Sequence, residues 1–398
     1  MEAKIEKLDN LGRGITYINN KICFVNNALP NEIVEIKLEQ EHKKYIEATL
    51  IEIKESSPFR IVEECPYSNI CGGCQLNHLC YNEENRYKRN KIKSLLYKYA
   101  NIEEDKVDHI IYEDRNYYRN KITLHGKDGK LGLYEKKSKD IIPIQECILV
   151  NSRINETIKW LSMNNINITE AIIKTSNDES ELMVSIKGEV SRVAELKSKC
   201  NVLIINGEYL SKDKRIETSI SNNKYKESIN SFFQVNKTLT ESLYDEVRDA
   251  IKEKKNNTAL DLYCGTGTIT IYISDYCNKI IGIDNNPSNI KDANINKQLN
   301  NKENIEFICD NVENKIDKFK EIDLIVIDPP RSGLDKKTRE YLRKIKPKNI
   351  IYVSCDPLTL SRDLNELKTD YNIIKVKPFN MFPRTYHCET IAVLERIK

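Results

Sequence analysis

The sequence predicts an α/β protein in three parts: a small N-terminal β-barrel, a mixed α+β middle, and a doubly wound, mostly parallel C-terminal sheet. Three observations carry this. Short alternating strands separated by turn residues occupy Lys4 to Pro58. From about Ser228 strand and helix patterns alternate strictly, which is how a parallel sheet with crossover helices reads. Within that half, "TALDLYCGTGTITIYI", Thr258 to Ile273, runs from a buried strand through a Gly-rich turn into a helix.

The barrel segments are KIEKLD, ITYI, KICFV, EIVEIKLE and YIEATLIEIKE, punctuated by Gly12, Gly14, Asn19-Asn20 and Pro30. Several such strands in so short a span close into a barrel, an architecture that binds RNA or serves as a plain interaction module. The middle holds a Cys-rich loop, a charged helix near Asn85 to Tyr99, and strands such as NKITLHG, KLGLYEKK and ELMVSIKG. The expected domains are 1–57, 58–215 and 216–398, with the helix near 78–108 packing on the third.

A chain of 398 residues can build several cores. No apolar stretch approaches membrane-spanning length, and MEAKIEKLDN lacks a signal-peptide core. A soluble, cytoplasmic monomer with no membrane partner is therefore expected. Twelve cysteines in such a protein argue for buried thiols, metal ligands and a nucleophile, not a disulfide framework.

Net charge is only +3, but its distribution is uneven. Between Arg86 and Lys139 there are 15 Lys and Arg against 8 Asp and Glu, interleaved with Tyr87, Tyr97, Tyr99, Tyr112, Tyr117, Tyr118 and Tyr134. Cations beside stacking aromatics suit a polyanion with unpaired bases, RNA before duplex DNA; a solvated helix face would give the same count.

In the Gly-rich turn, Gly265 and Gly267 let a ligand approach the backbone where the helix N-terminus offers free amides. The next apolar strand, KIIGID, ends at Asp284, 19 residues beyond Gly265, where an acid would accept hydrogen bonds from ribose hydroxyls. A dinucleotide series G-x-G-x-x-G is missing. D-x-x-C-G-x-G resembles instead the first motif of class I methyltransferases, whose ligand is S-adenosylmethionine. A further strand, IDLIVIDPP, ends at Asp328-Pro329-Pro330-Arg331. In that class Asp-Pro-Pro sets the methyl donor against its acceptor, and amino-methylating relatives follow it with an aromatic; Arg331 points away from amine chemistry.

The following strand, NIIYVSC, delivers Cys355 to the same edge of the sheet. A buried free thiol is the usual fate of cysteine, but this one ends a strand facing the site, and Pro357 fixes the exit. A methyltransferase needs a thiolate when its target carbon is not nucleophilic. Attack at C6 of a uracil makes C5 nucleophilic, and a base must then take the C5 proton so that the thiol can leave. In "MFPRTYHCETIAVLERI", Glu389 and His387 compete for that role. Arg331 and Arg362 are candidates for lowering the thiol pKa.

Along nearly its whole length the chain resembles the RNA 5-methyluridine methyltransferases, above all the bacterial 23S rRNA enzymes. The residues that carry this are SFFQVN (Ser231 to Asn236), DLYCGTG (Asp261 to Gly267), DPPR (Asp328 to Arg331), SCDP (Ser354 to Pro357) and FPRTYHCE (Phe382 to Glu389). The resemblance implies a class I, Rossmann-like methyltransferase domain, a TRAM/OB-like barrel and an α+β central domain carrying an iron–sulfur cluster. It makes Cys355 the nucleophile and Glu389 the base, with Gln234, Tyr263, Asp284 and Asp328 on S-adenosylmethionine and Asn311 near the adenine. Two residues depart from the pattern. Asp356 stands where relatives usually have Asn, and would raise the thiol pKa if it pointed inward; Cys388 stands where they have a small apolar residue.

"ECPYSNICGGCQLNHLCYNEENR" contains Cys65, Cys71, Cys74 and Cys80. C-x5-C-x2-C packs three ligands into one loop, and spacing leaves the fourth open between Cys80 and the distant Cys147, and the metal open between zinc and iron–sulfur. The resemblance implies a [4Fe–4S] cluster on Cys65, Cys71, Cys74 and Cys147, with Cys80 free. It also aligns "YYRNKITLHG" with the family's central domain, making Arg119 and Lys121 the expected RNA contacts. The expected substrate is 23S rRNA, with the tRNA T-loop uridine as the alternative; cytosine-C5 methylation fits less well, since those enzymes pair two site cysteines. A non-catalytic RNA-binding iron–sulfur scaffold is the rival from another class.

Overall fold

A computed structural model describes residues 1–397 of the chain. Six strands form the N-terminal barrel, the longest being Ile33–Glu41 and Tyr45–Glu55. Residues Glu2 to Leu8 close it: Glu2–Lys4 pairs with Ile33–Glu41, and Lys7–Leu8 with Gly14–Ile18. Asn19 and Asn20 both adopt positive φ, 50° and 63°, the twist that a tight hairpin between right-twisted strands requires.

The middle third is built on a seven-stranded sheet whose central strands are Lys121–Lys127, Asn165–Thr175 and Leu182–Val190. Its cysteine loop is held from two sides. The amide of Gly72 donates to the Tyr134 carbonyl (3.1 Å) and that of Lys136 to the Ile70 carbonyl (2.8 Å). On the other side, the amides of Gln75 and Leu76 both donate to the Arg384 carbonyl, at 3.0 and 2.9 Å.

The C-terminal sheet comprises β1 (Asn256–Leu262), β2 (Cys277–Asp284), β3 (Ile305–Cys309), β4 (Leu324–Ile327), β5 (Asn349–Ser354), β6 (Tyr371–Phe379) and β7 (Glu389–Arg396). The order is 3-2-1-4-5-7-6, with β1 to β5 parallel and β7 antiparallel to both its neighbours. Every residue of β4 and β5 is buried, as helices on both faces of a parallel sheet demand.

Helix α1 (Tyr81–Ala100) packs on this domain. Its Ile92, Leu96 and Ala100 share a core with Leu360, Leu364 and Leu367. Part of the local basic excess proves to be interior. Lys88 is fully buried, its Nζ donating to Glu84 Oε1 (2.9 Å), Asn380 Oδ1 (2.6 Å) and the Phe382 carbonyl (3.0 Å). Lys91 Nζ donates to the Tyr386 carbonyl at 2.7 Å. Two of the counted cations thus clamp a helix to a loop 290 or so residues away, and buried ammoniums persist only with such partners.

Candidate active site

The strand register puts the two principal groups opposite each other. Ser354 on β5 pairs with Thr390 on β7, so the next pair outward is Cys355 and Glu389. β4 lies on the other side of β5, with Ile327 opposite Tyr352, and Asp328 follows it at the same edge. Asp261, on β1 opposite Val326 of β4, completes a row of acids at the carboxyl ends of adjacent strands, where open α/β sheets bind ligands.

Burial sets the ionisation of this row. Glu389 is only 3% exposed, and burial, reinforced by Asp328, pushes its carboxyl well above the usual range against the opposing pull of Arg331. Asp328 is raised to about 7 by burial and then by Asp261. Asp261 is raised to about 7, again chiefly by burial. The Thr270 hydroxyl donates to its Oδ2 at 2.5 Å, while Oδ1 is buried with no hydrogen-bond partner.

The Cys355 thiol is pushed up to about 12, first by burial and then by Glu389 and Asp328, with Arg331 opposing. It is therefore protonated at neutral pH. His387 cannot serve as its counter-cation: burial, then Arg331, Lys91 and Lys88, take its imidazole down to about 4, and its Nε2 lies 3.4 Å from Arg331 Nη2. Arg362 is engaged elsewhere, donating to the Ser332 and Leu334 carbonyls at 3.1 and 3.0 Å. Asp356 does not aim at the thiol. It caps helix α2 (Pro357–Leu367), its Oδ1 accepting from the amides of Leu358 (2.9 Å) and Thr359 (3.0 Å), and its charge raises the Cys355 thiol less than burial, Glu389 or Asp328 does. Cys388 is a core residue whose Sγ lies 3.2 Å from the Phe379 carbonyl.

The Gly-rich turn forms a cradle. Tyr263, Gly265 and Gly267 have φ of 65°, 56° and 76°, and a Cβ on Gly265 would meet nothing within 4 Å: the residue faces open space. Its amide donates to Asp284 Oδ2 (3.1 Å), whose Oδ1 accepts from the Asn286 amide (2.8 Å) and Asn289 Nδ2 (3.0 Å). Asp284 is thereby fixed in place. Tyr263, Asn285, Asn311, Pro330 and Asp335 line an adjoining cleft of about 430 Å³. The segment carrying Gln234 lies against the turn, the Thr266 hydroxyl donating to the Phe232 carbonyl at 3.3 Å.

These residues fit S-adenosylmethionine. Carboxylates raised by burial, one with an orphaned oxygen, are completed by a sulfonium and an ammonium, and the open face of Gly265 admits the chain between them. Asp261 was not among the residues expected on the cofactor, although it opens the D-x-x-C-G-x-G motif.

A separate cavity of about 230 Å³ is lined by Cys65, Cys71, Cys74 and Cys147 together with Arg119. The Cys74 thiol is pushed up to about 12 by burial, then by Cys147, Cys71 and Cys65. Cys80 lies apart, at the N-cap of α1. Among the described residues no three His, Cys, Asp or Glu side chains close around a point that would hold a single metal ion. The four thiols line one void. Arg119 and Lys121 were the expected RNA contacts. Both are half-buried: Arg119 faces the thiol cavity and Lys121 stands near Lys174 and Glu227.

No sequence signal singled out Arg384, yet it ties these parts together. It is fully buried at a positive φ of 68°. Its guanidinium donates to Glu64 Oε2 (2.6 Å), Asn77 Oδ1 (3.1 Å) and Asn116 Oδ1 (2.6 Å), and its amide to Glu84 Oε1 (2.9 Å).

Comparison with known proteins bears directly on this arrangement. A family model described as tRNA (Uracil-5-)-methyltransferase matches residues 174–397, and the TRAM domain matches residues 1–51. An uncharacterized RNA methyltransferase of Aquifex aeolicus is 35% identical over 99% of this chain and 98% of its own. One from Clostridium acetobutylicum is 33% identical over 100% and 97%. The crystal structure of Pyrococcus abyssi tRNA (uracil-54, C5)-methyltransferase in complex with S-adenosyl-L-homocysteine superposes with a TM-score of 0.81 at 25% identity, covering 99% of this chain and 100% of that one.

Proposed function

Because this chain belongs to the tRNA (uracil-5-)-methyltransferase family of S-adenosylmethionine-dependent RNA-methylating enzymes, we propose that it forms 5-methyluridine at a specific uridine of 23S rRNA through a covalent adduct on Cys355. The observation that carries this reading is the cross-strand placement of Cys355 and Glu389 beside Asp328 at the carboxyl edge of the sheet.

Gln234, Tyr263, Asp284 and Asp328 hold the methyl donor, with Asp261 as a further partner and Asn311 toward the adenine. S-adenosylmethionine supplies a methyl group as a sulfonium electrophile. The target base leaves its stack to reach the strand ends. The Cys355 thiolate adds to C6, forming a carbon–sulfur bond and leaving the electron pair as an enolate that makes C5 nucleophilic. After C5 has gained the methyl, Glu389 removes the proton still on C5, and the thiolate departs from C6 as the double bond re-forms. A positive charge beside Asp328 offsets the repulsion that the neighbouring carboxylates add to burial, so donor binding favours ionisation of both Cys355 and Glu389.

Cys65, Cys71, Cys74 and Cys147 would hold a [4Fe–4S] cluster that braces the loop between the central sheet and Arg384. If a Cys71→Ser protein stays folded and binds RNA as the parent does while losing only turnover, the bracing role is wrong. A second reading, methylation of a tRNA T-loop uridine, draws on the likeness to the archaeal tRNA enzyme. Mapping 5-methyluridine in the 23S rRNA and tRNA of a deletion strain separates them. Loss at one 23S position with an intact T-loop is expected; loss at the T-loop alone assigns the second reading, and loss at neither overturns both.

A further inference from the structure

A broad cleft lies away from the methyl-transfer site. It encloses about 770 Å³ between the barrel, which contributes Arg13 and Thr49, the cysteine loop, which contributes Ile70 and Gln75, and the central sheet, which contributes His125 and Tyr134. His125 and Tyr134 are stacked, with ring centroids 4.1 Å apart and planes inclined by 16°. The stack follows from the register. His125 pairs with Gly132, so Tyr134, two residues on, is its diagonal neighbour on the same sheet face. Glycine at 132 is required because a Cβ there would fall 1.8 Å from the Ile142 carbonyl oxygen, and it leaves His125 with no side chain directly opposite.

Tyr134 remains 40% exposed with one face against the half-buried imidazole, and both rings line the cleft. Lys127, Lys130, Lys137 and Lys139, on the same hairpin and the turn after it, are exposed, and none makes an ion pair among the described residues. A flat aromatic platform rimmed by unpaired cations is the arrangement that holds single-stranded nucleic acid, with a base on the ring and phosphates on the ammoniums.

The cleft also connects to the chemistry. The Tyr134 carbonyl accepts from Gly72, and three residues further along the same loop Gln75 donates to the Arg384 carbonyl. A Cβ on Gly12, in the cleft wall, would come within 3.9 Å of Tyr386, next to His387. One short loop therefore spans from the platform to the segment that ends in Glu389.

We infer that the His125–Tyr134 stack is a binding subsite for an unpaired RNA base that flanks the methylated uridine, holding the strand so that the target base reaches Cys355. This rests on the proposed RNA substrate, and adds a site outside the methyl-transfer centre.

The test uses the full chain and an oligouridylate longer than one binding site, about 20 nucleotides. Tyr134→Ala is expected to weaken oligouridylate binding by about 5- to 20-fold and leave competition by inorganic polyphosphate, which has no bases, unchanged. Tyr134→Phe keeps the ring and is expected to stay within about twofold of the parent. S-adenosylhomocysteine binding by each variant checks the fold. The inference is overturned if Tyr134→Ala and His125→Ala bind oligouridylate as the parent does, or if the loss is equal for polyphosphate. A second measurement needs no variant: 4-thiouridine cross-linking of the parent should label the segment from Lys121 to Lys137, and an unlabelled segment overturns the inference. Oligouridylate bound at the stack by a protein that methylates no RNA would refute the proposed function alone. Methylation with unaltered binding by Tyr134→Ala would refute the subsite alone.

Discussion

Binding of S-adenosylmethionine should release protons. Asp328 and Asp261 each titrate at about 7 in the free protein because burial disfavours their charge, so each is about half protonated at pH 7. A cation placed about 5 Å from a carboxylate at an effective dielectric constant near 20 contributes about 3 kcal/mol, a downward shift of roughly 2 units. Both acids then ionise almost fully at pH 7, releasing about half a proton each and roughly one together, with any contribution from Glu389 adding to this. The assay is isothermal titration of the protein with S-adenosylmethionine at pH 7 in phosphate and in Tris. The difference in observed heat, divided by the difference in buffer ionisation enthalpy, counts the protons. Release should fall by about half in Asp328→Asn, and affinity should drop as pH falls below 7. Identical heats in the two buffers, or proton uptake, would refute the claim that these acids are held neutral at the cofactor site.

Asp261→Asn should separate stability from binding. A carboxyl raised from 3.8 to about 7 binds more protons in the native state, so native stability is lost as pH climbs from about 4 to about 7. Asparagine removes that loss, so the variant should gain as much as about 3–4 kcal/mol at pH 8 relative to pH 4 and bind S-adenosylmethionine more weakly; an unchanged pH profile of thermal unfolding would count against the assignment. Asp356→Asn should keep the helix cap, changing urea stability by less than about 0.5 kcal/mol, and shift Cys355 alkylation to slightly lower pH, because one carboxylate is removed from beside the thiol. Glu84→Ala leaves the buried Lys88 unpaired and should cost about 3–5 kcal/mol in urea unfolding.

The methyl-transfer sheet was legible because strands buried on both faces read as apolar runs, and each run here ends on a residue type with distinct chemistry: Asp284, Asp328, Cys355. The barrel was legible from its alternation and its Asn19-Asn20 turn. Contacts across hundreds of residues were not. The pattern around Lys88 shows a basic helix, while its partner Asn380 lies 292 positions away, so nothing local distinguishes a buried clamp from a solvated cation. For the same reason nothing local showed that Arg119 and Lys121 would be half-buried. Arg384 looked like one more arginine in a motif, although its burial between the cysteine loop and the segment that leads to Glu389 depends on Glu64, Asn77 and Asn116 arriving from elsewhere. Spacing alone could not choose between Cys80 and Cys147; the fold draws Cys147 to the thiol cavity and Cys80 to a helix cap.

The proposed reaction stands on a bond between Cys355 and C6 of a uracil. With RNA carrying 5-fluorouridine in place of uridine, fluorine replaces the proton that Glu389 would remove, so the adduct cannot resolve. Incubated with S-adenosylmethionine, the protein should form a covalent complex that survives denaturation, maps by mass spectrometry to Cys355 and is absent from Cys355→Ala. Methylation of natural RNA by a protein that traps no such adduct, or an adduct on another residue, would contradict it.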